Sequence, residues 1–100
     1  MFVQVIRATL KPGAWEKVEE LEHHWQTEQA PIAPGFKGSY LLRDKRSPNN
    51  AIWVVLFENA ELAQQNSNRP ETNQFAQEMM KLSEGEPEFI DTELVHSYLM

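Results

Sequence analysis

Residues 2–29 read FVQVIRATL, then KPG, then AWEKVEELEHHWQTEQ, and the hydrophobic period changes across the central punctuation. In the first part side chains alternate. Phe2, Gln4, Ile6, Ala8 and Leu10 share one face, and Val3, Val5, Arg7 and Thr9 the other. The β-branched Val3, Val5 and Ile6 suit a pleated strand. Both faces are largely apolar, so both are expected to be covered. Lys11-Pro12-Gly13 turns the chain. Ala14, Val18, Leu21 and Trp25 then recur at spacings of four, three and four, which is one face of a helix running to about Gln29. Glu16, Glu19 and His23 fall on the far side. Pro31 ends the helix, and Ala33-Pro34-Gly35 reads as a connector.

Working outward, Phe36 to Arg43 is the second strand. Asp44 to Asn50 carries turn chemistry in Ser47-Pro48-Asn49-Asn50. Ala51 to Glu58 forms a hairpin with the second strand. Asn59 is placed to cap a short helix holding Leu62 and Ala63. Arg69-Pro70 interrupts, and a further helix follows from about Glu71 to Leu82 with Phe75, Met79 and Leu82 inward. Gly85 and Pro87 are read as its end, and the last strand as Glu88 to Tyr98. This order is the α+β, ferredoxin-like βαββαβ pattern: a four-stranded antiparallel sheet with two helices on one face. The other sheet face is left bare and apolar, which predicts a homodimer joined sheet to sheet.

One hundred residues with 41% hydrophobic and 24% charged side chains make a single globular domain, residues 1–100. A net charge of −6 argues against nucleic acid as a partner. The densest basic stretch, Arg43-Asp44-Lys45-Arg46, is broken by an acid and reads as a solvated turn. The absence of cysteine excludes disulfides and thiolate-bound metals, and it fits a cytoplasmic location. No basic segment followed by a long apolar stretch opens the chain, so no signal peptide is expected. The longest apolar run, Ala51 to Phe57, is seven residues, too short for a membrane span.

Trp25, Phe75 and Met79 fall on inner helix faces. With Trp53 they either fill a core or line a cavity that stacks on a flat ligand; the sequence leaves the face of Trp53 open. Gln4 and Asn66 are carboxamides on apolar faces, where each must find partners. They are either structural amides or donors to a substrate oxygen, and Asn66 is a candidate catalytic residue. His24 is the second. Glu20, His24 and Glu28 stand at i, i+4 and i+8, as an ion-pair ladder, a rim acid/base or a shared ion site. One helix supplies too few ligands for a closed metal centre, so no metal is expected. Tyr40 and Tyr98 lie on different strands as half-buried phenols. Neither a Gly-rich phosphate loop nor an HExxH motif nor a nucleophile elbow occurs, and no cofactor is expected.

The first strand ending in Leu10-Lys11-Pro12-Gly13, the stretch Ala33-Pro34-Gly35-Phe36-Lys37-Gly38-Ser39-Tyr40, and Phe57-Glu58-Asn59-Ala60-Glu61-Leu62 together resemble the antibiotic-biosynthesis-monooxygenase-like proteins. These form dimeric α+β barrels, and the resemblance spans nearly the whole chain. The family includes cofactor-free oxygenases acting on polycyclic phenols and quinols, haem-degrading oxygenases, and many members of unknown role. The haem-degrading members use an Asn on the first strand and a Trp and a His on the second helix. Here Ile6 stands in place of that Asn, no Trp follows Trp53, and no His lies between His24 and His96. The resemblance therefore favours a cofactor-free monooxygenase with an aromatic or quinol-type substrate. The alternative is a non-catalytic ligand-binding or stress-response module on the same scaffold.

Overall fold

A computed structural model describes residues 1–99. The chain runs β1 (Phe2–Leu10), α1 (Trp15–Glu28), a 3-10 turn (Ala30–Ile32), β2 (Phe36–Arg43), β3 (Asn50–Phe57), α2 (Ala60–Ser67), α3 (Pro70–Lys81) and β4 (Ser83–Glu93). The four strands form one antiparallel sheet in the order β2-β3-β1-β4. The second helical segment is two helices. Pro70 opens α3 because it lacks the N–H that would continue α2, and a first helical position does not need one. Asn59 caps α2 as expected: its Oδ1 accepts from the Leu62 amide at 2.9 Å.

Register fixes the two faces. Gln4 lies opposite Val55, Ile6 opposite Trp53 and Ala8 opposite Ala51, all facing the helices. The alternate set, Val3, Val5, Ile52, Val54, Leu56 and Ile90, faces away. Leu10 and Val18 are fully buried and anchor a core with Ala14, Ala51, Trp53 and Met79 on the helix side. On the opposite face Tyr40 is 63% and Leu42 45% exposed, so that apolar surface is left uncovered.

The last strand departs from expectation. It begins at Ser83, which pairs with Leu10, and ends at Glu93, which pairs with Phe2. Gly85 and Pro87 do not terminate a helix; they sit in a bulge where the register shifts between Arg7 and Thr9, and Gly85 takes a left-handed φ of 71° there. The strand stops before Tyr98: its ladder with β1 ends at the Phe2–Glu93 pair, beyond which the Leu94 amide donates to the Met1 carbonyl at 2.9 Å. Val95, Tyr98 and Leu99 are exposed beyond it.

Gly35 joins the connector to α2. Its φ is 77°, and a Cβ there would collide with Leu62 Cδ1 and meet Leu62 Cβ at 2.9 Å. Gly85 has a similar φ with nothing within 4 Å. Chemical denaturation should separate the two effects. Gly85→Ala is expected to cost about 1–2 kcal/mol from backbone strain alone, and Gly35→Ala about 2–4 kcal/mol because overpacking adds to it.

Candidate functional site

Between the helices and the sheet lies a cavity of about 690 Å³, within the range of small-molecule sites. Gln4, Ile6, Trp53 and Val55 form its floor on β1 and β3, and Trp25, Phe75 and Met79 project from the helices above. Phe36 and Phe57 close one end. The aromatic walls brace one another: Trp25 meets Phe36 edge to face at 5.0 Å, Phe36 meets Phe57 at 5.6 Å, and Trp25 meets Phe75 at 6.1 Å. Phe89 on β4 and Met80 on α3 also line the cavity and are exposed.

The walls are mainly apolar, and polar side chains stand among them. Asn66 is buried, and its Oδ1 accepts from Arg69 Nη1 at 3.3 Å and Thr72 Oγ1 at 3.2 Å. A guanidinium can only donate, so the carboxamide oxygen must face Arg69. The Asn66 Nδ2 donors remain, and among the described residues they bind nothing. Arg69 is itself held by Gln29 Oε1 at 2.7 Å and Glu71 at 3.2 Å, which fixes the orientation of Asn66. Gln4 also lines the cavity, but its Nε2 is engaged by Asp91 Oδ1 at 2.9 Å. The buried Trp25 Nε1 has no acceptor among the described residues.

Glu22 is the second buried polar residue, and it was not among the sequence candidates. Its Oε1 accepts from Trp53 Nε1 at 2.6 Å. Burial raises its pKa, because desolvation penalises the carboxylate; the Trp53 hydrogen bond opposes this without overcoming it. The signal was present in the spacing: Glu22 follows Val18 by four residues and precedes Trp25 by three, on the inner stripe of α1.

The structure thus gathers Gln4, Trp25, Trp53, Asn66, Phe75 and Met79 around one cavity, and Trp53 faces the helices rather than the bare sheet face. It does not bring His24 there. That side chain is exposed and pairs with Glu28 at 2.8 Å, while Glu20 pairs with Lys17 at 3.7 Å, so the three-residue ladder is broken. The reason is angular: four-residue steps from Glu20 drift along the flank of α1 and never reach its inner face. Among the described residues, no three His, Asp or Glu side chains gather as metal ligands. Among the described residues no helix is long and apolar enough to cross a membrane.

The sequence matches no protein-family model and no curated protein. Solved structures do match. A variant of SnoaB, a cofactor-independent oxygenase from Streptomyces nogalater, aligns with a TM-score of 0.83 at 19% identity, covering 96% of this chain and 94% of that one. A Nitrosomonas europaea protein provisionally assigned as an antibiotic biosynthesis monooxygenase gives 0.80 at 14% identity over 96% and 100%. A further antibiotic biosynthesis monooxygenase gives 0.77 at 13% identity over 96% and 100%. At these identities the shared property is the fold, and it is the fold that the sequence resemblance implies.

A carboxyl with a raised folded pKa holds its proton more tightly in the native state than in the unfolded one. Its stability contribution is full below the ordinary value of 4.5 and is lost as pH rises through the folded value. Glu22→Gln keeps an acceptor for Trp53 and removes this loss. Thermal unfolding across pH should show the variant gaining on the wild type above that window, with the gain vanishing in acid.

Proposed function

We propose that this chain is a small homodimeric monooxygenase that uses neither metal nor flavin and acts on an aromatic or quinol-type molecule. The observation that carries this reading is Asn66: a buried carboxamide, clamped through its oxygen, whose donors are left free beside an aromatic-walled cavity. A flat ring system stacks against Trp25 and Phe75. Asn66 Nδ2 donates to the ring oxygen that gains negative charge as the substrate ionises. The resulting carbanion reduces dioxygen directly and forms a carbon-bound hydroperoxide. Loss of water then leaves a new carbonyl, so one oxygen atom enters the product and the other leaves as water. The shared fold with a cofactor-independent oxygenase supports this route.

The non-catalytic reading draws on His24 lying outside the cavity and on Gln4 being engaged by Asp91. Oxygen uptake separates the two. Anthrone is a suitable probe, because its ring methylene is acidic and its oxidation product is a simple quinone. Wild-type protein is expected to accelerate oxygen consumption with anthrone. Asn66→Ala should lower the rate about 10²–10³-fold, with circular dichroism showing the fold retained. Equal rates would remove Asn66 from the chemistry.

The homodimer rests on the uncovered sheet face. A chain of this size buries only about two-thirds of its extended surface, and Val5, Val54 and Ile90 form an apolar strip across three strands. Two such faces packed together would bury it. Sedimentation should give a dimer for the wild type, and Val54→Lys should shift it to a monomer, since a charge at the centre of that interface goes unpaired.

A further inference from the structure

Glu22 lines two separate spaces. One is the internal cavity, and the other is a shallow outer groove of about 430 Å³ between α1 and β2, shared with Trp15, His23 and Arg43. Among the described residues bordering the two, it alone belongs to both. Its Oε1 is held by Trp53, while its Oε2 takes no hydrogen bond from any described residue. Nor does a cation neutralise it: Arg43 pairs with Glu19 at 3.6 Å and lies over the Trp15 ring at 4.5 Å. A buried carboxyl without a cation is an expensive way to receive one indole hydrogen bond. A glutamine would accept the same bond without a charge to desolvate. What glutamine cannot do is carry a proton.

We propose that Glu22 is a proton relay that takes the acidic proton of a substrate in the cavity and releases it to the outer groove. This rests on the monooxygenase reading and assigns the group that takes the proton when its substrate ionises. The substrate's O–H or activated C–H bond breaks, its electron pair stays on the substrate, and the proton bonds to Glu22 Oε2. Water in the groove then removes that proton and restores the carboxylate. Burial brings the affinity of Glu22 for a proton nearer to that of its substrate, which favours general-base catalysis. The charged and titratable groups facing these two spaces are Glu19 and His23 from α1, Arg43 from β2, and Glu86 and Asp91 from β4. The part of β3 that meets Glu22 is the uncharged Trp53.

The test is the pH dependence of oxygen uptake with anthrone by the whole protein. Glu22→Gln is expected to lower kcat about 10²–10⁴-fold near neutral pH and to lower kcat/KM equally, leaving KM unchanged, as loss of an interaction made only in the transition state does. The deficit should shrink as pH rises and anthrone ionises unaided, with circular dichroism showing both proteins fully folded across the range, so that the stability gain of the variant does not account for the recovery. A variant as active as the wild type, or a deficit constant with pH, overturns the relay and leaves the monooxygenase reading standing. A wild type inert toward anthrone overturns both. Should Glu22→Gln fail to fold by circular dichroism, Glu22→Ala with added formate decides: recovered rate supports the relay, and no recovery overturns it.

Discussion

The hydrogen bond from Trp53 Nε1 to Glu22 Oε1, 2.6 Å long, joins the middle of β3 to the inner face of α1. It is made in a buried setting, where a charge-accepting bond is stronger than in water and its loss would strand a carboxyl. It holds α1 over the sheet at the height where Trp25, one turn further on, can meet Phe36 and Phe75. The contact braces the aromatic wall of the cavity together with the Leu10, Ala14 and Val18 packing that also holds α1 on the sheet. The same packing buries Glu22, and that burial raises its pKa.

On either side of that bond the molecule behaves differently. Toward Leu10 the helix and sheet close on each other through small residues. Ala14, Val18 and Ala51 leave no room, and Leu10 and Val18 are fully buried. Toward Phe2 the floor carries Gln4 and Val55, α2 and α3 bring Asn66 and Phe75, and the layers stay apart around the cavity. Packing that stabilises the fold is concentrated at one end, and open space that serves a ligand at the other. A cavity of this size forfeits dispersion contacts that a filled core would make. The rigid clamp of Gln29, Arg69 and Thr72 keeps Asn66 from collapsing into it.

Much of this was legible in the residues. Alternation in residues 2–10 set the first strand, and the Pro-Gly punctuation set the change to a helical period. Asn59 announced a helix start, and Arg69-Pro70 a break. The last strand was misplaced because Gly85 and Pro87 have the same chemistry at a helix end and in a β-bulge. Only pairing with Thr9 and Leu10 distinguishes the two. His24 drew attention as a titratable group between two carboxylates, yet solvent and Glu28 satisfy it locally.

By itself the sequence determined the element order, the inward stripe of each helix and the two faces of the first strand. Those depend on backbone period, caps and turns, which act over a few residues. Tertiary structure alone decided that Trp53 faces the helices, that Asn66 keeps its donors free, and that the inward Glu22 is buried against an indole N–H rather than paired with a cation. Each of these is set by partners remote in the chain: Glu22 and Trp53 are 31 residues apart, and Arg69 reaches Gln29 across 40. A local pattern can place a carboxyl on an inner face; only the groups packed opposite settle its solvation and its proton affinity.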